Sequence, residues 1–216
     1  IQQMVQDGWF TEEGFVPSGP LLRALLALSA DSMESGFAPD AQQGWGRPNL
    51  ANLIDYDDNS SADIWIHDSF RMIEGNQSEL AIEWLSEKGA RPLEQVVASL
   101  WNGSGASGPF LKEGSNVSWN LSLVPGENLE VFLSFNQRPF DSISDDLSVI
   151  VELPNGTRID SNDSLEGTES VFIPASNLSG FDSVIVEVRA NLVGVGNYTD
   201  VLGVDGDMLG FALAAR

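Results

Sequence analysis

The sequence contains no cysteine, two lysines and one histidine, and each shortage excludes something. Without cysteine the chain has no disulfide framework, no thiolate metal site and no cysteine nucleophile. It also has no run of 18 apolar residues, which argues against a membrane-spanning helix. The single histidine, His67, is the one conventional base available to a serine nucleophile.

Positive charge is scarce, and the balance is strongly acidic. The formal net charge is −22 and the pI is near 4.1. Such a field repels nucleic acid phosphates and anionic lipid surfaces, so we expect neither as a partner. An acid-rich, lysine-poor surface suits salty water or multivalent cations, although it is equally compatible with a merely soluble acidic protein.

Most of the asparagines lie in one kind of tripeptide. Nine of the fourteen asparagines begin an Asn-x-Ser/Thr triplet, whereas the serine and threonine content predicts about two by chance. These triplets are acceptor motifs for N-linked glycans in secreted proteins, so they favour an extracellular location.

The first part of the chain reads as helical. Residues 1–7 resemble the end of a helix, and Ser18-Gly-Pro20 can cap and begin the next one. From Leu21 to Leu28 only Arg23 is polar, which predicts a helix buried on most sides. Because its leucines cannot all face one surface, we expect residues 1–58 to depend on another domain for cover. A short helical turn over 49–54 and a polar linker over 55–61 complete this part.

The second part changes to a period of two residues, with turns at Pro125-Gly126, Pro154-Asn-Gly156 and Ser179-Gly180. Short alternating segments at this spacing predict an antiparallel β-sandwich. Between the two parts, residues 71–112 are hard to assign, with an amphipathic helix predicted over 93–101. The predicted strands cover 64–70, 117–123, 129–135, 147–153, 184–190 and 209–213.

Several motifs, taken in order, resemble the subtilisin-like serine proteases. The apolar helix Pro20-Leu-Leu-Arg-Ala-Leu-Leu-Ala-Leu-Ser-Ala30 and the turn Gln43-Gly-Trp-Gly-Arg-Pro-Asn-Leu50 are similar to the end of that family's catalytic domain. The later stretches Asp146-Leu-Ser-Val-Ile-Val, Pro154-Asn-Gly-Thr157 and Glu169-Ser-Val-Phe-Ile173 resemble the jelly-roll sandwich that some extracellular members carry after it.

The resemblance implies an α+β chain: a helical remnant of an α/β catalytic domain (1–58), a first sandwich strand with a partly helical insertion (59–112) and a C-terminal β-sandwich (113–216). It implies the C-terminal segment of a secreted serine endopeptidase that acts on protein or peptide substrates. The Ser/His/Asp triad would lie upstream of residue 1, so no catalytic residue is assigned here. We expect a monomer.

Two local motifs suggest chemistry that their context does not support. His67-Asp68-Ser69 holds all three triad residue types, but neighbours on a strand point to opposite faces, so His67 cannot face both others. Gly103-Ser-Gly-Ala-Ser-Gly108 matches a dinucleotide-binding pattern, yet a predicted helix precedes it where a strand is needed. A flexible loop is the preferred interpretation.

Acidic clusters are the main candidates for a ligand site. Calcium takes six to eight oxygen ligands from carboxylates, amides and carbonyls on loops. Asp141, Asp145 and Asp146 precede one predicted strand, and a second acidic group lies in the following loop. The resemblance implies a structural calcium ion in the sandwich; the competing interpretation is a solvated acidic face. The residues implied as ligands are Asp146, Asn162, Asp163 and Glu169.

A rival to the protease hypothesis is a non-enzymatic extracellular jelly-roll module that binds glycan or protein. Tryptophans could supply its platform, since aromatic rings stack on sugars. Trp119 is in register with inward apolar residues and Trp101 lies on an apolar helical stripe, so core packing is the preferred interpretation for both.

Overall fold

The computed structural model describes residues 1–33, 39, 43–55, 60–61, 63–71, 108–137, 145–161, 167–194 and 208–216. Its helices are α1 (Gln2–Gln6), α2 (Gly19–Leu28), a single 3₁₀ turn (Leu50–Asn52) and α3 (Ala175–Leu178). Its strands are β1 (Ala30–Asp31), β2 (Arg47–Pro48), β3 (Ile54–Asp55), β4 (Ser60–Ser61), β5 (Trp65–Asp68), β6 (Asn116–Ser122), β7 (Leu129–Phe135), β8 (Asp145–Glu152), β9 (Arg158–Asp160), β10 (Thr168–Ile173), β11 (Ser183–Val193) and β12 (Phe211–Ala215).

Eight of these strands form two four-stranded antiparallel sheets. Sheet I has the order β10-β7-β12-β5, and sheet II has the order β6-β11-β8-β9. The predicted β-sandwich is confirmed at this level. Two minor pairs, β1 with β2 and β3 with β4, lie outside the sheets.

The core lies between the sheets, where the alternating apolar residues of both meet. Sheet I contributes Val131, Leu133 and Phe135, and sheet II contributes Val149 and Val186, all essentially inaccessible to solvent. Burying a side chain of this size contributes about 1.5–3 kcal/mol, so these inward positions hold the sheets together.

The turn between β8 and β9 shows how local chemistry sets strand register. In Pro154-Asn-Gly156, the glycine has φ +84°, a conformation that costs other residues energy. The side chain of Asn155 accepts from Thr157 N at 3.0 Å, and Leu153 N donates to Thr157 O at 2.8 Å. The predicted turn therefore closes a hairpin that places Glu152 opposite Arg158.

Helix α2 covers the outer face of sheet I. It begins at Ser18, whose hydroxyl accepts from Leu21 N at 3.2 Å. Leu25 and Leu28 are fully buried against Ala212 and Ala214 of β12, whose small side chains let the helix approach closely. The resemblance implied that this helix belongs to an α/β catalytic domain; among the described elements it packs on an antiparallel sheet.

Much of the predicted insertion lies outside the described residues, including the predicted helix over 93–101 and residues 103–107 of the glycine-rich loop. Strand β5, which precedes it, adds an edge to sheet I by pairing with β12 from Trp65 opposite Ala215 to Asp68 opposite Ala212. Within the described ranges, no helix has the length and hydropathy needed to cross a bilayer.

Candidate functional site

Strand β5 and the residue after it present different chemistry to the two sides of sheet I. His67 and Ser69 face the space between the sheets, whereas Asp68 faces α2. This follows from the alternation of a strand, and it separates the three residue types of a triad.

His67 is enclosed by aromatic rings. Its ring centroid lies 4.7 Å from that of Trp119, 5.4 Å from that of Phe211 and 6.4 Å from that of Trp65. Burial among these rings lowers the pKa of His67 from its ordinary value of 6.5 to about 4. The imidazole is therefore neutral at pH 7.

Ser69 is buried and its hydroxyl is already engaged. Its Oγ donates to the carbonyl of Pro109 at 2.8 Å, and the Nε2 of His67 lies 3.4 Å away. Because a hydroxyl has one proton, the longer contact requires His67 to donate from Nε2. That polarity is the reverse of what a general base needs, so this pair does not activate the serine.

Asp68 ties β5 to the start of α2. Its Oδ2 accepts from Ser18 N at 2.9 Å, and its Oδ1 accepts from Phe70 N at 3.0 Å. Burial raises the pKa of Asp68 above its ordinary value, although the bonds from Ser18 and Phe70 oppose that rise. Asp68 therefore supports the residue that caps α2 and does not orient His67.

Arg23 lies on the more exposed side of α2, and its side chain reaches sheet I. The sequence analysis did not predict this role. Its guanidinium donates to Ser134 Oγ at 3.0 Å, to Phe135 O at 2.8 Å and to Asn136 Oδ1 at 2.8 Å. Partial burial lowers its pKa from the ordinary value. A lone cation on an otherwise apolar helix was the available signal, because such a charge needs partners nearby.

The turn containing Trp45 docks on the same face. Gly46 has φ +108°, and a Cβ there would collide with the backbone carbonyl of Asp31, so glycine is required. Side-chain hydrogen bonds from Asn52 and Asn49 lower the pKa of Asp31, which anchors the turn. Trp45 then packs edge-on against Phe132 of β7 at 5.0 Å between centroids.

A third connection joins the end of β12 to the same segment. Arg216 forms an ion pair with Glu130 of β7 at 2.7 Å and donates to the carbonyl of Asn52 at 3.2 Å. The described residues between 18 and 52 are thus fastened to sheet I by polar and aromatic contacts at several separate points. We call this set the helix clamp: Asp68, Arg23, Trp45 and Arg216 with their partners.

Two of the four predicted calcium ligands are described, and they point to different places. Asp146 lies on the outer face of sheet II, where its Oδ2 accepts from Asn191 Nδ2 at 3.1 Å. Glu169 lies on β10 opposite the inward-facing Leu133, and it is buried. Asn162 and Asp163 lie outside the described residues.

Asp145 shares the inward orientation of Glu169, since it alternates with Asp146 and is fully buried. Its Oδ1 accepts from Gly194 N at 3.0 Å. Within the described part, no three acidic or histidine side chains converge as a metal site would require.

The described residues do not assemble the tryptophan platform considered as an alternative. Trp65 and Trp119 lie 5.6 Å apart between the sheets and pack against the core, which confirms core packing for Trp119. Trp45 belongs to the helix clamp, on the other side of sheet I. Trp84 and Trp101 lie outside the described ranges.

Fold and site together define a β-sandwich with a helical segment clamped to one outer face. No protein-family model matches the sequence, and no curated protein matches it. Among solved structures it is similar to a family GH115 4-O-methyl-α-glucuronidase with specificity for decorated arabinogalactans. The TM-score is 0.31 and the identity 14%, over 49% of this chain and 14% of that one. At these values the two need not share a fold, and the likeness says nothing about activity.

Proposed function

We propose that this chain is the C-terminal segment of a secreted subtilisin-like serine endopeptidase. In the parent protein, residues 1–58 are the end of the catalytic domain and residues 113–216 form a jelly-roll sandwich. The observation that carries the proposal is the helix clamp, because it fastens the catalytic-domain motifs to the sandwich.

Exposed apolar side chains on and beside α2 support this role. Leu26 of the helix is 44% exposed, and Val16, just before the helix, is 68% exposed. Leu50, in the 3₁₀ turn, is exposed as well. Exposed apolar side chains on an otherwise buried segment fit a surface that a second body covers, and the rest of a catalytic domain would supply that body.

In this arrangement, the chain and the rest of the parent protein have different roles. A serine in the rest of the parent would attack the peptide carbonyl, with a histidine as its base and an aspartate orienting that histidine. This chain would contribute the rigid attachment of the sandwich and none of the reacting groups, since the Ser69 hydroxyl donates to the carbonyl of Pro109 and His67 does not activate it. The acidic surface and the abundance of Asn-x-Ser/Thr triplets support an extracellular setting.

The test compares this chain with its parent protein. Incubation with a serine-directed fluorophosphonate should label the parent and leave the isolated chain unlabelled. Ser69→Ala serves as the control for adventitious labelling. Labelling of the chain that disappears in Ser69→Ala would place the nucleophile here and overturn the proposal, and so would a parent gene that encodes no Ser/His/Asp triad before residue 1.

The helix clamp makes a second, sharper prediction for the parent. Arg23→Ala should lower the temperature at which peptidase activity is lost while leaving kcat at low temperature unchanged. An equal fall of kcat at all temperatures would instead place Arg23 in the catalytic machinery.

The rival, a non-enzymatic module that binds glycan or protein, has one observation in its favour. The outer face of sheet II is polar and uncovered by any described element, with the apolar side chain of Ile185 exposed in it. Binding of the isolated chain to immobilised oligosaccharides, abolished by Ile185→Asp, would favour this rival.

We also propose that the sandwich binds a structural calcium ion. Asp145 and Glu169 support the proposal, because each turns a buried carboxylate toward the core and carboxylate oxygens are calcium ligands. Of the four ligands implied by the sequence, the proposal retains Glu169. Asp146 faces outward, so we expect it to contribute less to calcium binding.

A further inference from the structure

Strand β6 carries two Asn-x-Ser triplets in one register. They are Asn116-Val-Ser118 and Asn120-Leu-Ser122, and they overlap the strand along its whole length. Successive side chains of a strand point to opposite faces, so both asparagines and both serines share one face. All four are exposed, whereas the residues between them are half-buried against the core.

The amides of these asparagines are available. Within the part of the chain that the structure describes, neither the Asn116 nor the Asn120 side chain makes a hydrogen bond. Asn191 on the neighbouring strand β11 differs, because its Nδ2 donates to Asp146 and to Ser148, both at 3.1 Å. Asn191 begins no triplet, since Val193 follows two residues later.

Strand β6 also lacks the usual protection of a sheet edge. Among the described strands it has one neighbour, β11, with which it pairs without a bulge from Asn116 to Ser122. It contains no charged residue and no proline. An edge strand of this kind is a template for pairing with another chain, and proteins normally guard it with charges, prolines or bulges.

An apolar side chain lies beside one triplet. Ile185 of β11 is directly opposite Asn120 in the strand register, and it is 44% exposed. Opposite residues on one face have Cβ atoms about 4.5–5.5 Å apart, so a group attached to Asn120 would lie over Ile185.

We propose that Asn116 and Asn120 are N-glycosylation sites whose glycans shield the β6 edge and Ile185. The Nδ2 of each asparagine attacks the anomeric carbon of an oligosaccharide carried on a polyprenyl phosphate or diphosphate. A C–N bond forms, Nδ2 loses one proton, and the C–O bond to phosphate breaks with its electron pair leaving on the lipid phosphate. The enzyme is the membrane oligosaccharyltransferase of a secretory pathway.

The strand geometry permits both sites to be occupied. Four residues of an extended strand span about 13 Å, which separates the two linkages enough for each to carry its own first sugar. Both glycans would leave from the same face and the same edge. The inference depends on the proposed extracellular location and is independent of peptidase activity.

The experiment is secretion of the chain from a eukaryotic host with an active oligosaccharyltransferase. Site-resolved mass spectrometry after N-glycosidase treatment in ¹⁸O-water marks each occupied asparagine as a labelled aspartate. We expect both Asn116 and Asn120 to be marked. Asn116→Gln and Ser118→Ala should each remove one glycan, as should Asn120→Gln and Ser122→Ala, whereas Asn191→Gln, the matched control on the same face, should remove none.

Shielding is measured by light scattering before and after glycan removal. Deglycosylated protein, and the double variant Asn116→Gln/Asn120→Gln, should aggregate several-fold more than the glycosylated chain at equal concentration. A folded, secreted chain with neither site occupied overturns the assignment. Occupied sites whose removal leaves aggregation unchanged overturn the shielding role. Loss of fluorophosphonate labelling in the parent would affect neither outcome.

Discussion

The two outer faces of the sandwich are formed by similar strands, but α2 covers one of them and no described element covers the other. Sheet I turns Ala212, Ala214 and Phe132 outward, and α2 covers them. Sheet II turns polar residues such as Ser118, Glu187 and Arg189 outward, and no described element covers them. The difference lies in the outward residues, since both inner faces are predominantly apolar.

This contrast is visible strand by strand. In β12 every residue from Phe211 to Ala215 is buried, and the strand is apolar throughout because both its faces are covered. In β6 half-buried and exposed positions alternate, because only one face is covered. A continuous apolar strand therefore indicates a covering layer even where the sequence does not show which segment provides it.

The largest expected effect comes from placing a charge on each outer face in turn. Ala212→Asp buries an unpaired carboxylate beneath α2, and we expect a loss of roughly 3–5 kcal/mol in the free energy of unfolding. Ser118→Asp, on the open face of unglycosylated protein, should change it by no more than about 0.5 kcal/mol. Urea unfolding of both variants measures the difference; equal losses would mean that α2 does not cover the sheet in solution.

The two sides of α2 provide the next comparison. Leu25 is fully buried against sheet I, so Leu25→Ala should cost about 2–5 kcal/mol of stability. Leu26, the adjacent residue, is 44% exposed, and Leu26→Ala should cost well under half as much. Equal costs in the isolated chain would show that the outer side of α2 also has a partner, such as a second copy of the chain.

The single histidine lies between the sheets, so the pH dependence of the unfolding free energy tests how well that space is shielded from water. His67 has a folded pKa of about 4 against 6.5 when unfolded, so the unfolded chain binds its proton first as the pH falls. Its contribution is therefore complete above pH 6.5, declines as the pH falls to about 4, and then levels off. The full change is at most about 3 kcal/mol, from the cost of a pKa difference of this size.

Nuclear magnetic resonance of the imidazole protons gives the His67 pKa directly, because no second histidine overlaps them. The stability change is isolated by subtracting the pH profile of His67→Gln, which retains every carboxylate. A pKa near 6.5 would mean that the aromatic cluster is open to water.

A calcium titration compares the carboxylates in the interior with those on the open face as ligands for the ion. At a hundred times its dissociation constant, an ion that binds only the folded state adds about 2.7 kcal/mol of stability. We expect a calcium-specific rise in Tm that Glu169→Gln abolishes and Asp146→Asn leaves largely intact. Sodium chloride at equal ionic strength is the control, and a rise that it reproduces in full would identify the carboxylates as a solvated acidic face.

The smallest effects concern arginine on the two faces. Arg23→Ala removes three hydrogen bonds between α2 and sheet I and should cost roughly 1–2 kcal/mol. Arg158 pairs with Glu187 at 2.6 Å and Glu152 at 3.2 Å on the open face of sheet II, and Arg158→Ala should cost about 0.2–1 kcal/mol. A larger cost for Arg158→Ala would reverse the order that the covering helix predicts.

The strands and turns of the sandwich were predictable from the sequence, because a period of two residues and turn dipeptides are local signals. Strands β6, β7 and β8 were found to within two residues at both ends, whereas β11 continues three residues beyond its predicted end. Helix α2 was also found, since its cap and its proline are local features. Strand β10, whose sequence matched a motif without being assigned as a strand, and the short helix α3 were missed.

Placement was not predictable to the same extent. The apolar residues of α2 indicated burial but not the surface responsible, and the helix covers the sandwich itself. Asp146 was chosen over Asp145 as a ligand, although adjacent residues of a strand face opposite ways and the choice depends on which face is inside. The grouping of His67 with Trp119 and Phe211 joins residues from three distant strands, which no local pattern encodes.

The sequence by itself therefore determined the sandwich, its register-setting turns and the helix that precedes it, because propensity and periodicity act over a few residues. The tertiary structure alone decided that α2 lies on sheet I, that Arg23 and Asp68 fasten it there, and that β6, with its two Asn-x-Ser triplets, has one neighbour among the described strands. Those outcomes depend on which surfaces meet, and burial is a property of the pair of surfaces rather than of either segment.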